Sequence, residues 1–334
     1  MARPDLETMP FAAMEAKTAD ALPTGDGWQF ERKWDGFRCL VVKAGGDVAL
    51  WGKSGKPLGR YFPEVIAAMH GVKPDGFVLD GELLIEGGGF EALQMRLHPA
   101  ASRIARLSTE IPARLMLFDL LGAPGGEPML DAVLETRRTA LERFGRAADP
   151  DGAVFSLSEA TRDRRRAADW LAEDSAENDG VVAKRLDEPY RPGERAMLKI
   201  KRVRTVDCVV GGWRRNTGSD LVGSLLLGLY DHEGRLNHVG FTSQISAAQK
   251  PELTERLEAL HGEGFTGNAP GGPSRWSTER TESYEKLRHE LVVEVTYDHV
   301  TGGRFRHGSR LVRWRPDKAP AQCTYDQVPA LKGG

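Results

Sequence analysis

Only three of the 334 residues are cysteine, Cys39, Cys208 and Cys323, and they stand far apart with no Cys-x-x-Cys pair. An odd count at such spacing points away from a disulfide framework and from a cysteine zinc site. No apolar run approaches the ~18 residues a membrane span needs. The start, Met1-Ala2-Arg3-Pro4-Asp5, lacks the apolar core of a signal peptide, so a cytoplasmic protein with no membrane partner is expected. Neither charge sign dominates: 46 Lys+Arg face 48 Asp+Glu for a formal net charge of -2, which excludes a histone-like polycation. No internal repeat and no low-complexity tract interrupts the chain. At about 150 residues per domain, 334 residues suggest two domains.

What is present is uneven. Lys199, Lys201, Arg202 and Arg204 form one short basic stretch without an acid. Between Arg304 and Lys318 six cations (Arg304, Arg306, Arg310, Arg313, Arg315, Lys318) stand against Asp317 alone. Local charge of this kind, and not net charge, is what binds phosphate. The run from Arg162 to Arg166 reads as a solvated helical face.

Hydrophobic alternation with a Gly45-Gly46-Asp47 turn predicts a hairpin, Phe37 to Val42 against Val48 to Trp51. Further apolar runs at Phe77 to Ile85, Leu115 to Leu121, Gly180 to Ala183 and Met197 to Ile200 read as buried strands. Helices are expected from about Pro63 to His70 and from Asp131, as N-cap, to Phe144, with Gly145 as the stop. This is an α+β layout with mostly antiparallel strands. After Arg204 come strand candidates at Val206 to Gly211, Ser224 to Tyr230, Leu236 to Phe241 and Leu291 to Tyr297. One helix is expected near Pro251 to Leu260, and Gly262 to Pro273 reads as a loop. A small β-barrel follows, of the oligonucleotide-binding or the SH3-like kind. The boundary is placed at 203/204, giving domains 1–203 and 204–334.

Gly52-Lys53-Ser54 imitates the end of a P-loop, but Asp47 stands where that motif needs its first glycine. Gly87-Gly88-Gly89 reads as a turn. The segment Glu31-Arg32-Lys33-Trp34-Asp35-Gly36-Phe37-Arg38 is more informative. Other apolar strands also carry isolated charges: Asp80-Gly81-Glu82, Phe118-Asp119, Asp179 to Lys184, and Leu198-Lys199-Ile200-Lys201. Burying unpaired charge is expensive. A shared site where lysines meet phosphate and carboxylates meet a divalent metal would pair them all.

Taken in order, these segments resemble the covalent nucleotidyltransferases of the ATP-dependent DNA ligase family, over nearly the whole chain. Lys33-Trp34-Asp35-Gly36-Phe37-Arg38 is similar to the K-x-D-G-x-R signature. Phe77 to Leu84, Leu115 to Leu120, Asp179 to Lys184 and Met197 to Lys201 resemble the next four motifs, and Arg315-Pro316-Asp317-Lys318 the last. The Gly-Lys-Pro-Leu-Gly-Arg-Tyr-Phe-Pro run and the Arg-Trp-Arg-Pro-Asp-Lys ending are most similar to bacterial ligase C and to the ligase portion of ligase D. The resemblance implies an antiparallel-sheet adenylation domain followed by an OB-fold barrel domain.

It also implies roles. Lys33 would attack the α-phosphorus of ATP, giving a phosphoramidate and pyrophosphate. A free lysine, with a pKa near 10.4, is neutral about once in ~2,500 at pH 7, so nearby cations or a metal must favour the amine. Lys199 and Lys201 would face the α-phosphate. Glu82 and Asp179 would serve near Mg²⁺ or Mn²⁺ and the ribose; relatives usually carry glutamate where Asp179 stands. Phe118 would stack on adenine, Glu31 contact the base, and Arg38 the ribose or a substrate phosphate. Lys53, where relatives usually have arginine, would meet a phosphate or the ribose. Arg315, Asp317 and Lys318 would close over the triphosphate as the barrel domain turns on the Arg202 to Val206 junction.

The expected function is sealing of nicked double-stranded DNA with ATP, by a monomer, in cooperation with separate repair polymerases or nucleases. With 32 residues ahead of Lys33, no room is expected for the helical DNA-binding domain of larger ligases. RNA ligation, GTP-dependent capping and a catalytically silent barrel protein are the competing readings. The intact Lys33, Glu82, Lys199 and Lys201 argue against the last.

Overall fold

The computed structural model describes residues 9–173, 177–202, 204–271, 283–298, 300–305 and 307–331. The start of the chain, Gly272 and Pro273 of the expected loop, Val203 of the junction and Arg306 of the second basic stretch lie outside them. The chain divides into two compact units, Met1–Arg202 and Val203–Gly334. No helix among the described residues is long and apolar enough to cross a membrane.

Two sheets build the first unit. One has the order β1-β11-β10-β2-β9, from Ala16–Thr18 (β1), Trp28–Trp34 (β2), Ala160–Thr161 (β9), Asn178–Arg185 (β10) and Met197–Lys201 (β11). Its β1/β11 pair is parallel and the remainder antiparallel. The other has the order β4-β3-β5-β6-β7, from Phe37–Ala44 (β3), Asp47–Gly52 (β4), Phe77–Leu84 (β5), Arg114–Ala123 (β6) and Glu127–Pro128 (β7), with Phe155–Leu157 (β8) parallel to β6. The predicted hairpin is β3–β4. Its neighbour β2 lies in the other sheet, so the chain crosses between sheets at Asp35-Gly36.

The near-continuous apolar runs arise because the second sheet is covered on both faces. Cys39 and Val41 of β3 pack with Val65 and Met69 of α1 (Pro63–Gly71), Leu93 of α2 (Gly89–Arg96), and Leu141 and Phe144 of α4 (Leu134–Ala148). Leu40 and Val42 point the other way, to Met14, Tyr190 and Met197. In the first sheet, Phe30, Val181, Ala183 and Ile200 pack on Trp170 of α5 (Arg164–Ala172). The solvated arginine run lies at the start of α5, where Arg162 and Arg166 pair with Glu135 and Glu159.

Two helix expectations need correction. The helix expected at Asp131 starts at Leu134 with Val133 as N-cap, and it runs through Gly145 to Ala148. Gly145 is no stop. A Cβ there would lie 2.9 Å from Leu157 Cδ1, so the glycine lets the helix close on β8. Gly89, read as part of a turn, begins α2, and α3 (Ala101–Glu110) follows with no side-chain cap to announce it.

The second unit has the strand order β14-β13-β12-β16-β19, from Arg204–Arg215 (β12), Val222–Tyr230 (β13), Leu236–Thr242 (β14), Val292–Tyr297 (β16) and Arg310–Trp314 (β19). Glu285–Lys286 (β15) adds to β12, and Val300–Thr301 (β17) pairs with Arg304–Phe305 (β18). Helix α6 (Lys250–Glu258) follows β14, at the expected place. The first strand lies at the centre, a meander on one side and the last two strands on the other. That is the Greek-key order of a five-stranded oligonucleotide-binding fold. Its core runs from Val209 and Leu226 to Val293 and Cys323.

Candidate active site

Strand alternation decides which charges meet. In β2, Phe30 packs on the α5 side while Glu31 and Lys33 face a cleft between the sheets. In β10 and β11, Val182, Lys184, Met197 and Lys199 face the same way. Register sets Val182 opposite both Glu31 and Lys199, making one row across three strands. The second sheet contributes Arg38, Glu82 and Phe118, and Lys53 stands just past the end of β4. Met14, Glu15 and Ala16 complete the wall of this cleft of about 240 Å³.

Lys33 Nζ donates to Asp179 Oδ2 at 2.6 Å, the lysine 22% exposed and the aspartate 4%. Strict alternation along β10 would turn Asp179 towards α5, with Val181 and Ala183. The register breaks between Asn178 and Val181 and turns it to the cleft. Gly180 makes this possible, with φ at +145° and its Cα so close to β11 that a Cβ would lie 2.1 Å from Ile200 O. Lys201 Nζ lies 4.0 Å from the same Asp179 oxygen. Gly36 is similarly constrained, since a Cβ would lie 2.1 Å from Leu83 O.

Glu31 is held on both oxygens, by Gln29 Nε2 and by Lys184 Nζ, each at 2.8 Å. Two cations attend the Phe118 ring, Arg38 Cζ at 4.7 Å and Lys184 Nζ at 4.8 Å from its centroid. Burial raises the half-buried Glu82 carboxyl to about 7, even though Arg38 and Lys33 favour its ionised form. Burial, then the charges of Lys33 and Lys201, holds the Lys199 ammonium below its ordinary value. Lys53 is 59% exposed yet pairs with Glu15 at 3.1 Å, at the cleft wall.

Asp80 and Asp119 do not join the shared metal and phosphate cluster expected of them. Asp80 takes Arg38 Nε and Nη2 at 2.5 Å each, and Tyr190 Oη donates to it at 2.8 Å. Tyr190 Oη in turn accepts from Met14 N–H at 2.8 Å. Asp119 is paired with Arg137 Nε at 2.8 Å, both side chains buried. Local pairing therefore satisfies these carboxylates. Lys184 and Tyr190 are cleft-supporting residues without an assigned role in the sequence reading. The isolated charge of Lys184 in an apolar strand was the one signal pointing to either.

The remaining site residues belong to the second unit. Arg315 donates to Asp317 through Nε at 3.0 Å and Nη2 at 2.9 Å, and to Asp207 through Nη1 at 2.8 Å. Lys318 Nζ lies 3.2 Å from the other Asp207 oxygen. Pairing moves Arg315 up against the effect of burial, its Asp317 hydrogen bond first, and the same hydrogen bond holds Asp317 down at about 2.

Of the carboxylates lining the cleft, Glu15 is paired with Lys53 and Glu31 with Gln29 and Lys184, which leaves Glu82, together with Asp179 against Lys33, as the candidate metal donors. Among the described residues no group of three or more His, Cys, Asp or Glu side chains is gathered for one. Such a donor set fits an ion that takes most of its shell from phosphate and water, as Mg²⁺ does.

Comparison with known proteins agrees with the motif order. The ATP dependent DNA ligase domain model matches residues 10–201, and the ATP dependent DNA ligase C terminal region matches residues 218–318. DNA ligase C2 of Mycolicibacterium smegmatis is 41% identical over 339 residues, covering 96% of this chain and 94% of the relative. The multifunctional non-homologous end joining protein LigD of Mycobacterium bovis is 31% identical over 314 residues, 88% of this chain and 37% of the relative. A solved structure from work on the minimal scaffold of Lig E DNA ligases has the same fold. It gives a TM-score of 0.52 at 15% identity, over 91% of this chain and 99% of that one. The chain therefore belongs to the ATP-dependent DNA ligases.

Proposed function

We propose that this ligase seals 5′-phosphate/3′-hydroxyl nicks in double-stranded DNA through Lys33. The observation that carries the reading is the position of Lys33 Nζ in the cleft wall, against Asp179 and in the same cleft as Lys199 and Glu82. In the first step the Lys33 Nζ lone pair bonds to the α-phosphorus of ATP while the bond to the bridging oxygen breaks, and pyrophosphate leaves. In the second, a 5′-phosphate oxygen displaces Lys33 from AMP. In the third, the 3′-hydroxyl attacks that 5′-phosphorus, and AMP departs.

The chain's own groups do the positioning. Lys199 and Lys201 set positive charge where it builds up on the phosphoryl oxygens. Phe118 gives adenine a stacking surface and Glu31 an acceptor for its amino group; Arg38, fixed by Asp80, and Lys53 hold the ribose or phosphate. Glu82 and Asp179 would hold Mg²⁺ or Mn²⁺, which would neutralise charge on the phosphates. Arg315, Asp317 and Lys318 orient pyrophosphate for in-line departure. Adenylation is assigned to the first unit, Met1–Arg202, and the OB-fold role to the second, Val203–Gly334.

The 31% identity with a non-homologous end joining protein supports a role in DNA repair; we further propose that the enzyme acts as a cytoplasmic monomer beside separate polymerases or nucleases. The experiment is incubation with α-labelled ATP or GTP and a divalent metal, after stripping bound AMP with pyrophosphate, for wild type and Lys33→Ala. Label retained from ATP, lost in the variant and discharged by nicked DNA is expected. Label from GTP moves the reading to capping, and no label to a silent binding protein.

A further inference from the structure

Asp207 has no place in the chemistry above, yet it is the shared partner of two cations of the second unit, Arg315 and Lys318. It lies in β12, the central strand, paired to β13 and β16 on its two sides. Its backbone is clamped in both directions by one side chain: Asp207 N–H donates to Gln327 Oε1 at 3.1 Å, and Gln327 Nε2 donates to Asp207 O at 3.0 Å. Its side chain is 10% exposed and spends one oxygen on each cation, Oδ1 on Arg315 Nη1 at 2.8 Å and Oδ2 on Lys318 Nζ at 3.2 Å.

Asp317 also holds Arg315, but it is 62% exposed and only two residues away on the same turn, so it moves with the arginine. Asp207 ties both cations to a strand more than a hundred residues upstream. With Asp317 on one edge of the guanidinium and Asp207 on another, the plane of Arg315 is set, and the spacing from Arg315 to Lys318 is set by one carboxylate.

We propose that Asp207 is the positioning residue for Arg315 and Lys318, and that it serves AMP transfer to Lys33 and not strand joining. This rests on the reading that those two cations orient pyrophosphate. A cation pair pre-set at fixed spacing aligns the leaving group; the same pair, left to wander, loses that alignment. The final two steps release no pyrophosphate and are indifferent to it.

The test is full-length Asp207→Asn, assayed in three ways. Enzyme–AMP formation from α-labelled ATP is expected to fall about tenfold to hundredfold. Pyrophosphate-driven return of label from preloaded enzyme to ATP falls by a similar factor, since both directions share one transition state. Sealing of a nick already carrying 5′-AMP stays within about twofold of wild type, which also shows that the variant is folded. Gln327→Met keeps the carboxylate but frees its backbone, and gives the same selective loss at smaller size. Equal losses in all three assays in both variants, or a first-step rate at or above wild type, overturn the proposal. Arg315→Ala is run alongside: if it spares the first step, the assignment of pyrophosphate to these cations fails, independently of Asp207.

Discussion

Lys33 Nζ and Asp179 Oδ2 are 2.6 Å apart, joining strands 146 residues distant in sequence through a bulge that turns the carboxylate into the cleft. The shorter side chain thus reaches Lys33 Nζ directly. Asp179→Asn keeps the shape and removes the charge, and enzyme–AMP formation is expected to fall about 10²-fold. Asp179→Glu is expected to remain within about tenfold of wild type. Single-turnover labelling with ATP measures both, and an asparagine variant within threefold of wild type would separate the carboxylate from the chemistry.

Gly36 carries the crossing from one sheet to the other. An added Cβ would lie 2.1 Å from Leu83 O and 2.8 Å from Glu82 Cγ, so backbone must give way. Gly36→Ala is expected to cost about 1–3 kcal/mol of stability. It should also slow adenylylation, because Glu82 is displaced and Lys33 lies three residues before the crossing. Thermal melting together with the labelling assay reads both; an unchanged melt would mean the crossing relaxes freely.

What the sequence made legible was local. The hairpin Phe37 to Trp51 and the buried strands follow from alternation and spacing; the order of the charged motifs was legible only as a family resemblance, and the cleft gathers Glu31, Lys33, Arg38, Glu82, Phe118 and Lys199. Long-range pairing was not legible. Asp80 and Asp119 look alike in sequence, isolated acids in apolar strands, and only the fold shows that Arg38 and Arg137 neutralise them. Gly145 looks like a stop until Leu157 is seen against it. Asp207 gave no signal, because its two partners lie at the far end of the chain.

His238, in the second unit, packs against the Phe265 ring at 5.2 Å between centroids. Burial, assisted by the charges of Arg304 and Arg214, pushes it down to about 3. The unfolded chain, with a histidine pKa near ~6.5, therefore binds the proton first, and across that window the unfolded state carries more protons. Stability of this unit is expected to fall as pH drops from about 6.5 towards 3, with no contribution above that range. Urea unfolding at pH 7 and pH 4.5 is the measurement. The His238→Leu variant should lose less stability than wild type between the two, and an equal loss would assign the acid sensitivity to other groups.

Tyr190 joins the N-terminal wall of the cleft to Arg38. Its hydroxyl accepts from Met14 N–H and donates to Asp80 Oδ2, each at 2.8 Å, and Asp80 in turn fixes Arg38. Burial, with the Asp80 charge, raises the phenol well above its ordinary value, so it remains a donor at every working pH. Tyr190→Phe leaves Met14 N–H without its acceptor and takes one donor from a fully buried carboxylate, an expected cost of about 1–3 kcal/mol. Because Met14 and Arg38 both line the cleft, the KM for ATP should rise several-fold while the rate at saturating ATP changes less. A loss of stability with KM unchanged would mean that pairing of β1 with β11 alone holds the wall. In that case Tyr190 supports only the core around Leu40, Val42 and Met197, where its ring packs.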